Sequence, residues 1–402
     1  MKKIITGIKS TGSSLHLGNL MWAVLPFAQA AKGNDAAIFI ADLHSLTSVK
    51  DGKTLREQTL EIAIEYFAIY GLDTPFTIFR QSDIRDITKL MWIIANVTPY
   101  GLMLRAHSHK AIEQKLVELI QEVSKKEAIN ERILNDELPL IERIINYNPS
   151  IPESLRELLI AGGNKVQQAA NDNIKSLADI SKQIISAKNE YYDDLNMWVF
   201  NYPILMAADI IGYDIDAVPV GRDQLQHLEM TRDIARAFNK TYGRPVFTEP
   251  EAIITKTVET LPGIDGRKMS KSYDNFIGVF DDEKTLKKRV MSIVSGSEWI
   301  DEKKKNPDEC NIFNLYRVFA TPEQTAALRV KYESEGIGFG YGHAKTELLT
   351  VLSEYLRPYR EAREKLLQNP ELVEARLAEW ARVMNARLDE KMRVVKEVVG
   401  VN

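Results

Sequence analysis

The sequence predicts an α/β protein: a parallel sheet with helices on both faces, a helical insertion and an all-helical C-terminal domain. Three observations carry this expectation. Short apolar runs alternate with helix-periodic segments as far as residue 82. Strand signals then vanish between about 107 and 193 and return at 215–221. After 281 only helical periodicity remains. Strands alternating with helices are the pattern of a parallel sheet covered on both sides.

Each element has its own signal. KIITGI at 3–8 is an apolar run bounded by a lysine and a glycine-bearing turn, KSTGSSLHLGN. LMWAVLPFAQAAK has helical spacing and ends beside Gly33, a residue suited to a C-cap. AAIFIAD at 36–42 predicts a second buried strand, TLREQTLEIAIEYFAIYG at 54–71 an amphipathic helix, and FTIFRQS at 76–82 a third strand. In 107–193, AIEQKLVELIQEV puts Ile112, Leu116, Leu119, Ile120 and Val123 on one helical face. Ser150 and Glu153 form a capping-box pattern, and Gly162 and Gly163 predict a helix stop. IDAVPVG at 215–221 predicts a further strand, between the helical stretches YPILMAADIIGY and DQLQHLEMTRDIARAFNKTYG. The expected domains are therefore a Rossmann-like unit of 1–106 and 194–280, an insertion at 107–193, and a helical domain at 281–402.

A chain of 402 residues exceeds what one core usually holds. A net charge of −4 gives no global attraction to polyanions, which would need local basic patches. Cys310 is the single cysteine, so the chain builds no internal disulfide, cysteine-based zinc site or iron–sulfur cluster. His107 and His109 form an isolated His-x-His pattern, a weak metal signal. MKKIITGIKSTG lacks the apolar core and cleavage site of a secretion signal, and no apolar run reaches membrane-spanning length. A cytoplasmic location and no membrane association are expected.

Two segments carry chemistry. STGSSLHLGNL at 10–20 follows a strand and opens a helix, where backbone N–H groups suit a phosphate. His16 and Asn19 add side-chain donors there. The segment matches neither the dinucleotide fingerprint nor a Walker A loop, and it reads equally as a capped polar turn. PGIDGRKMSKSYDN at 262–275 holds Lys268 and Lys271 among glycine, serine and small polar residues. By itself it reads as a solvated basic loop. Together the two segments bracket one sheet.

At this point the chain resembles the class I aminoacyl-tRNA synthetases. LHLGN is similar to their HIGH signature, and KMSKS matches their second signature letter for letter. Within that class the tryptophanyl family is the best match, over 1–106 and from 194 onward. FIADLHSLT, YPILMAADIIGY and AVPVGRDQLQHLEMTRDIA resemble, in turn, its second-strand segment, its specificity helix and its ribose-binding strand and loop. The tyrosyl family shares both signatures. Met206 stands where tyrosine enzymes tend to carry glutamine, and a thioether suits a flat apolar ring. A tryptophan-binding paralogue that charges no tRNA is the remaining alternative.

The resemblance implies activation of tryptophan by ATP and transfer to tRNA(Trp), in a homodimer. It implies ATP held by the Lys9, Ser10, Thr11, Gly12 turn with His16, Gly18 and Asn19. The phosphates would meet Lys268, Met269, Ser270, Lys271 and Ser272, and the ribose Gly221, Arg222 and Asp223. His16, Lys268 and Lys271 are the expected catalytic residues. Mg²⁺ is expected on the ATP phosphates, without a protein metal site. Asp209 is expected to accept the indole N–H. Tyr202 and Gln224 would meet the ammonium group, and Ile5, His44, Met206, Val218 and Val220 would surround the ring. Lys9, Ser10, Ile5 and Arg222 depart from residues frequent in the family. The resemblance further implies that the C-terminal helices read the anticodon, with arginines such as Arg376 and Arg382 on phosphate or on solvent.

Overall fold

The structure, a computed structural model, describes residues 1–10, 15–103, 110–147, 153–194, 197–221, 224–254, 261–295, 306–334 and 338–401. Five parallel strands form one sheet: β1 (Lys3–Ile8), β2 (Asp35–Ile40), β3 (Thr77–Arg80), β4 (Ala217–Val220) and β5 (Glu251–Ile254). Their order is β3-β2-β1-β4-β5. β1 and β2 pair along their whole length, Lys3 against Asp35 through Ile8 against Ile40. The sheet grows outward from β1 in both directions, so the chain switches direction between β1 and β4. In such sheets the ligand crevice opens there, beyond the carboxyl ends of the strands.

Ile4, Ile5, Ile38, Ile40 and Ile78 are fully buried, as expected of strands covered on both faces. Gly7 has no side chain because the Phe39 ring fills that space: a Cβ there would lie 2.4 Å from Phe39 Cζ. The predicted third strand is shorter than its apolar run, since Gln81–Asp83 turns into a 3₁₀ segment. β5 escaped the sequence reading. EAII is too short to stand out, and only its pairing with β4 makes it a strand.

After the first turn the chain is helical over Leu17–Asn19, widens into a π turn at Leu20–Val24, and continues over Leu25–Ala31. The wide turn precedes Pro26, which has no N–H to continue the ladder. A second π turn, Ile133–Glu137, precedes Pro139 in the same way.

By contacts the chain forms two units, Met1–Thr98 with Ile204–Asn402, and Pro99–Pro203. The second unit is helical. Its Lys110–Arg132 and Leu138–Tyr147 helices pack on a long helix, Glu153–Asp194. The stop predicted at Gly162 and Gly163 does not occur. The helix runs through both glycines, with Ile141 Cγ2 3.5 Å from where a Gly163 Cβ would lie. Interhelix packing outweighs a propensity cost of ~1 kcal/mol per glycine. Ser150, His107 and His109 lie outside the described residues.

In the first unit the Tyr341–Gln368 helix packs along the Gly52–Tyr70 helix, and the Pro370–Val399 helix along β3. Trp380 stacks on Phe67 with ring centres 5.7 Å apart. Arg376 donates to the Leu72 carbonyl and pairs with Asp73 at 2.7 Å, Arg387 pairs with Asp35, and Lys391 with Asp214. These three cations tie the last helix to its own unit. Among the described residues, no helix is long and apolar enough to cross a membrane.

Candidate active site

The two signature segments meet. Leu17 N–H donates to the Ile277 carbonyl at 2.9 Å, and Val279 N–H to the Leu15 carbonyl at 2.8 Å. These bonds make an antiparallel bridge of His16 against Gly278. Leu15 and Leu17 are thus paired to the chain that leaves the KMSKS loop. His16 caps the Leu17–Asn19 helix: its Nδ1 accepts the Asn19 N–H at 3.2 Å, and Asn19 Oδ1 accepts the His16 N–H at 3.3 Å. Burial, and then the Lys271 charge, push the imidazole pKa down to about 4. A neutral ring whose Nδ1 accepts carries its proton on Nε2, which leaves one donor for a ligand. Gly18 makes room for this ring, since a Cβ there would come within 3.0 Å of it and 3.9 Å of Met269 Cβ.

The polar bonds of the loop at 262–275 converge on a buried residue. Asn275, 1% exposed, accepts the Ser270 N–H at 2.7 Å. Its amide donates to Asp265 at 2.7 Å and to the Lys268 carbonyl at 3.0 Å. Gly263 approaches so closely that a Cβ would sit 2.5 Å from the Asn275 side chain. Gly266 has a φ of +82°, which favours glycine. Met269 is the loop's buried apolar anchor, in one core with Leu15, Leu17 and Leu20. Lys268 is exposed. Lys271 is half-buried, and burial lowers its pKa against the opposing fields of Glu65 and Glu61.

The helix Met197–Ile211 carries a buried carboxylate. Asp209 is 3% exposed. Its Oδ2 accepts the Gln81 amide at 2.6 Å and faces His44 Nε2 at 3.2 Å. Burial raises its pKa, opposed by His44 and Gln81 and reinforced by Asp42. Both bonds land on Oδ2, so Oδ1 is left for a ligand. Asp42 sets the two partners side by side: it accepts the Ser82 N–H at 3.0 Å and the Ser82 hydroxyl, joining the end of β2 to the end of β3. Ile5, Val218 and Val220 are buried on neighbouring strands, and Met206 is half-buried one turn before Asp209.

Other expected residues stand differently. The Ser10 hydroxyl is engaged inside the protein, with Ser45 at 2.9 Å and Thr59 at 3.2 Å. Lys9 donates to Thr47 at 3.0 Å. Gly221 and Gln224 are exposed beyond β4. Tyr202 shares the Met197–Ile211 helix with Met206 and Asp209 but belongs to the second unit. Thr11, Gly12, Arg222 and Asp223 lie outside the described residues, and Ser272 falls within the Lys271–Tyr273 turn. Sequence reasoning overlooked Gln81, Asp42, Glu65 and Asn275. Each is a polar residue in or beside an apolar run, which was the available signal.

A family model described as tRNA synthetases class I (W and Y) matches residues 1–129 and 145–357. The tryptophan–tRNA ligase of Fusobacterium nucleatum is 37% identical over 402 residues, covering 100% of this chain and 98% of the relative. That of Bordetella parapertussis is 35% identical over 403 residues, covering 99% of this chain and 73% of the relative. Among solved structures, a tryptophanyl-tRNA synthetase from Campylobacter jejuni complexed with ADP and tryptophan aligns with a TM-score of 0.75 at 31% identity. That alignment covers 99% of this chain and 100% of the other.

Proposed function

Since the chain belongs to the class I tRNA synthetases (W and Y), we propose that it acts as a tryptophan–tRNA ligase. Similarity along the whole length of a tryptophan–tRNA ligase supports this over the tyrosine and non-charging alternatives. A carboxylate oxygen of tryptophan attacks the α-phosphorus of ATP, the bond to the bridging oxygen breaks, and pyrophosphate leaves. A ribose hydroxyl of the terminal adenosine of tRNA(Trp) then attacks the activated carbonyl, and AMP leaves. Neither step needs a side-chain nucleophile, so the chain's work is positioning and electrostatic stabilisation.

The roles follow from the chemistry of each group. The His16 Nε2–H donates to ATP, with Gly18 leaving room. Lys268 and Lys271 take the charge that builds on the pyrophosphate, with Ser270 beside them. The loop after β4, Gly221 onward, meets the ribose. Mg²⁺ supplies further charge neutralisation when it arrives on the ATP phosphates. Asp42 and Asp209 already accept bonds from the chain itself, and the described residues hold no group of three or more metal-ligating side chains. The assembly in this reading is a homodimer, supported by exposed apolar side chains such as Leu158 in the second unit. Sedimentation at a mass of one chain refutes it.

Asp209 carries the choice of tryptophan. A buried carboxylate with one oxygen engaged and the other left suits a single N–H donor on a flat ring. Charging of total tRNA with labelled tryptophan, compared with tyrosine, tests the proposal. Incorporation of tryptophan alone is expected, and incorporation of tyrosine overturns it.

A further inference from the structure

We propose that Glu65 is a positioning residue for ATP: from the Gly52–Tyr70 helix its buried carboxylate fixes Leu15, next to His16, and sets the charge that ATP meets at Lys271. The proposal rests on the reading that Lys271 contacts the phosphates.

Glu65 is fully buried between Ile64 and Tyr66, one helical turn after the half-buried Glu61. A carboxylate there is costly unless it is bonded and compensated. One backbone donor bonds it and two cations compensate its charge, each from a different part of the unit. Its Oε2 accepts the Leu15 N–H at 3.0 Å. Leu15 is the residue whose carbonyl accepts Val279 N–H and whose neighbour is the His16 cap. The bond therefore fixes the entry of the first signature from below while the 277–279 segment fixes it from the side. The second group is Arg363 of the Tyr341–Gln368 helix. Its Nε lies 4.0 Å from Glu65 Oε1, its Nη2 bonds Glu61 at 2.7 Å, and its guanidinium lies over the Phe280 ring. The third is the half-buried Lys271, two residues after Met269, which packs in one core with Leu15 and Leu17, so that its ammonium lies in the field of Glu65 and Glu61.

Two carboxylates and two cations thus balance around the site before ATP arrives. A triphosphate reaching Lys271 has to share the ammonium with Glu65, and the two anions repel. Removing the Glu65 charge while keeping an oxygen for Leu15 N–H favours ATP. Removing the whole side chain loosens the turn and disfavours it. Removing Arg363 leaves Glu65 less compensated, so its hold on Lys271 tightens and ATP is disfavoured. A purely structural Glu65 moves both of its variants the same way, because any change harms packing.

The test is calorimetric binding of a non-hydrolysable ATP analogue to the full chain, with thermal melts on each variant. Glu65→Gln is expected to tighten binding about fivefold, as loss of one nearby like charge predicts. Glu65→Ala is expected to weaken it about tenfold through the orphaned Leu15 N–H. Arg363→Gln is expected to weaken it several-fold, and this variant keeps the test alive should Glu65→Ala fail to fold. Glu65→Gln and Arg363→Gln shifting in the same direction, or Glu65→Gln not shifting at all, overturns the proposal. Lys271→Ala separates this from the underlying reading. If that variant leaves analogue binding and pyrophosphate exchange unchanged, the phosphate role of Lys271 falls. If it impairs exchange while the opposite shifts are missing, only the role of Glu65 falls.

Discussion

Asp209 offers the most decisive perturbation, because its surroundings fix what its loss does. Two protein donors, the Gln81 amide and His44, meet at Oδ2, and the proposed indole N–H meets Oδ1. Asp209→Ala removes the substrate's charged acceptor, a bond that contributes ~1.5–3 kcal/mol. With about 1.4 kcal/mol per factor of ten, that alone raises the tryptophan KM about 10- to 100-fold. The truncation also removes the acceptor of the buried Gln81 amide, at ~1–3 kcal/mol for an unmet donor, which adds to the loss when the ring binds against it. Asp209→Asn is no rescue. An amide that offers its oxygen to the indole turns its own NH₂ toward two donors. The assay is tryptophan-dependent pyrophosphate exchange with each substrate varied in turn. The expected result is a KM for tryptophan raised at least tenfold with the KM for ATP within about twofold. A tryptophan KM unchanged in both variants refutes the assignment. The raised pKa of Asp209 fixes a further sign: its acceptor is lost on acidification at a higher pH than an ordinary carboxylate would be, so tryptophan affinity falls first.

Three other perturbations have signs fixed by the structure. His16 has its pKa lowered to about 4, so between about 4 and 6.5 the unfolded chain binds the extra proton; stability present above 6.5 is lost as pH falls through that window. His16→Asn, which retains a capping acceptor, is expected to flatten that slope in melts taken against pH. Asn275→Ala removes the bonds to Ser270, Asp265 and Lys268 and is expected to raise the ATP KM in exchange about tenfold or more, with the tryptophan KM little changed; an unchanged ATP KM would show that the loop's bound form does not need it. Gly18→Ala places a Cβ 3.0 Å from the His16 ring and is expected to lower ATP affinity without unfolding, read by analogue binding and a melt.

What the sequence made legible follows the range of the interactions involved. Strands β1 to β4 and the main helices show in local periodicity, because the same side chains that set the period form the core. β5 does not, since EAII becomes a strand only through β4. Gly162 and Gly163 read as a stop because propensity is local, whereas the packing that overrides it is not. His16, Lys268 and Lys271 were legible through their signatures, and Asp209 through its apolar neighbours. Gln81, 128 residues away in sequence from its partner Asp209, was not. Neither was the engagement of Arg376 with Leu72 and Asp73, over 300 residues apart. A helical face of arginines looks the same in sequence whether it meets solvent, nucleic acid or its own chain.

The KMSKS segment shows how a loop with little apolar content takes up a defined position. Its exit is fixed, because residues 277–279 pair with Leu15 and Leu17 and are buried with them. Its middle is fixed by Met269 in the core and by polar bonds that converge on one side chain, Asn275. Segments held by few apolar contacts and several hydrogen bonds open at low free energy. Opening therefore breaks bonds to Asn275 before it breaks the pairing at 277–279. The part held through Asn275 runs from Gly263 to Asn275 and carries both lysines. The first signature stays in place, because Glu65 and the 277–279 segment hold it independently of the loop. On the proposed reading, ATP meets a His16 cap held by the pairing of Leu15 and Leu17 with residues 277–279, and two lysines on a segment held mainly through Asn275.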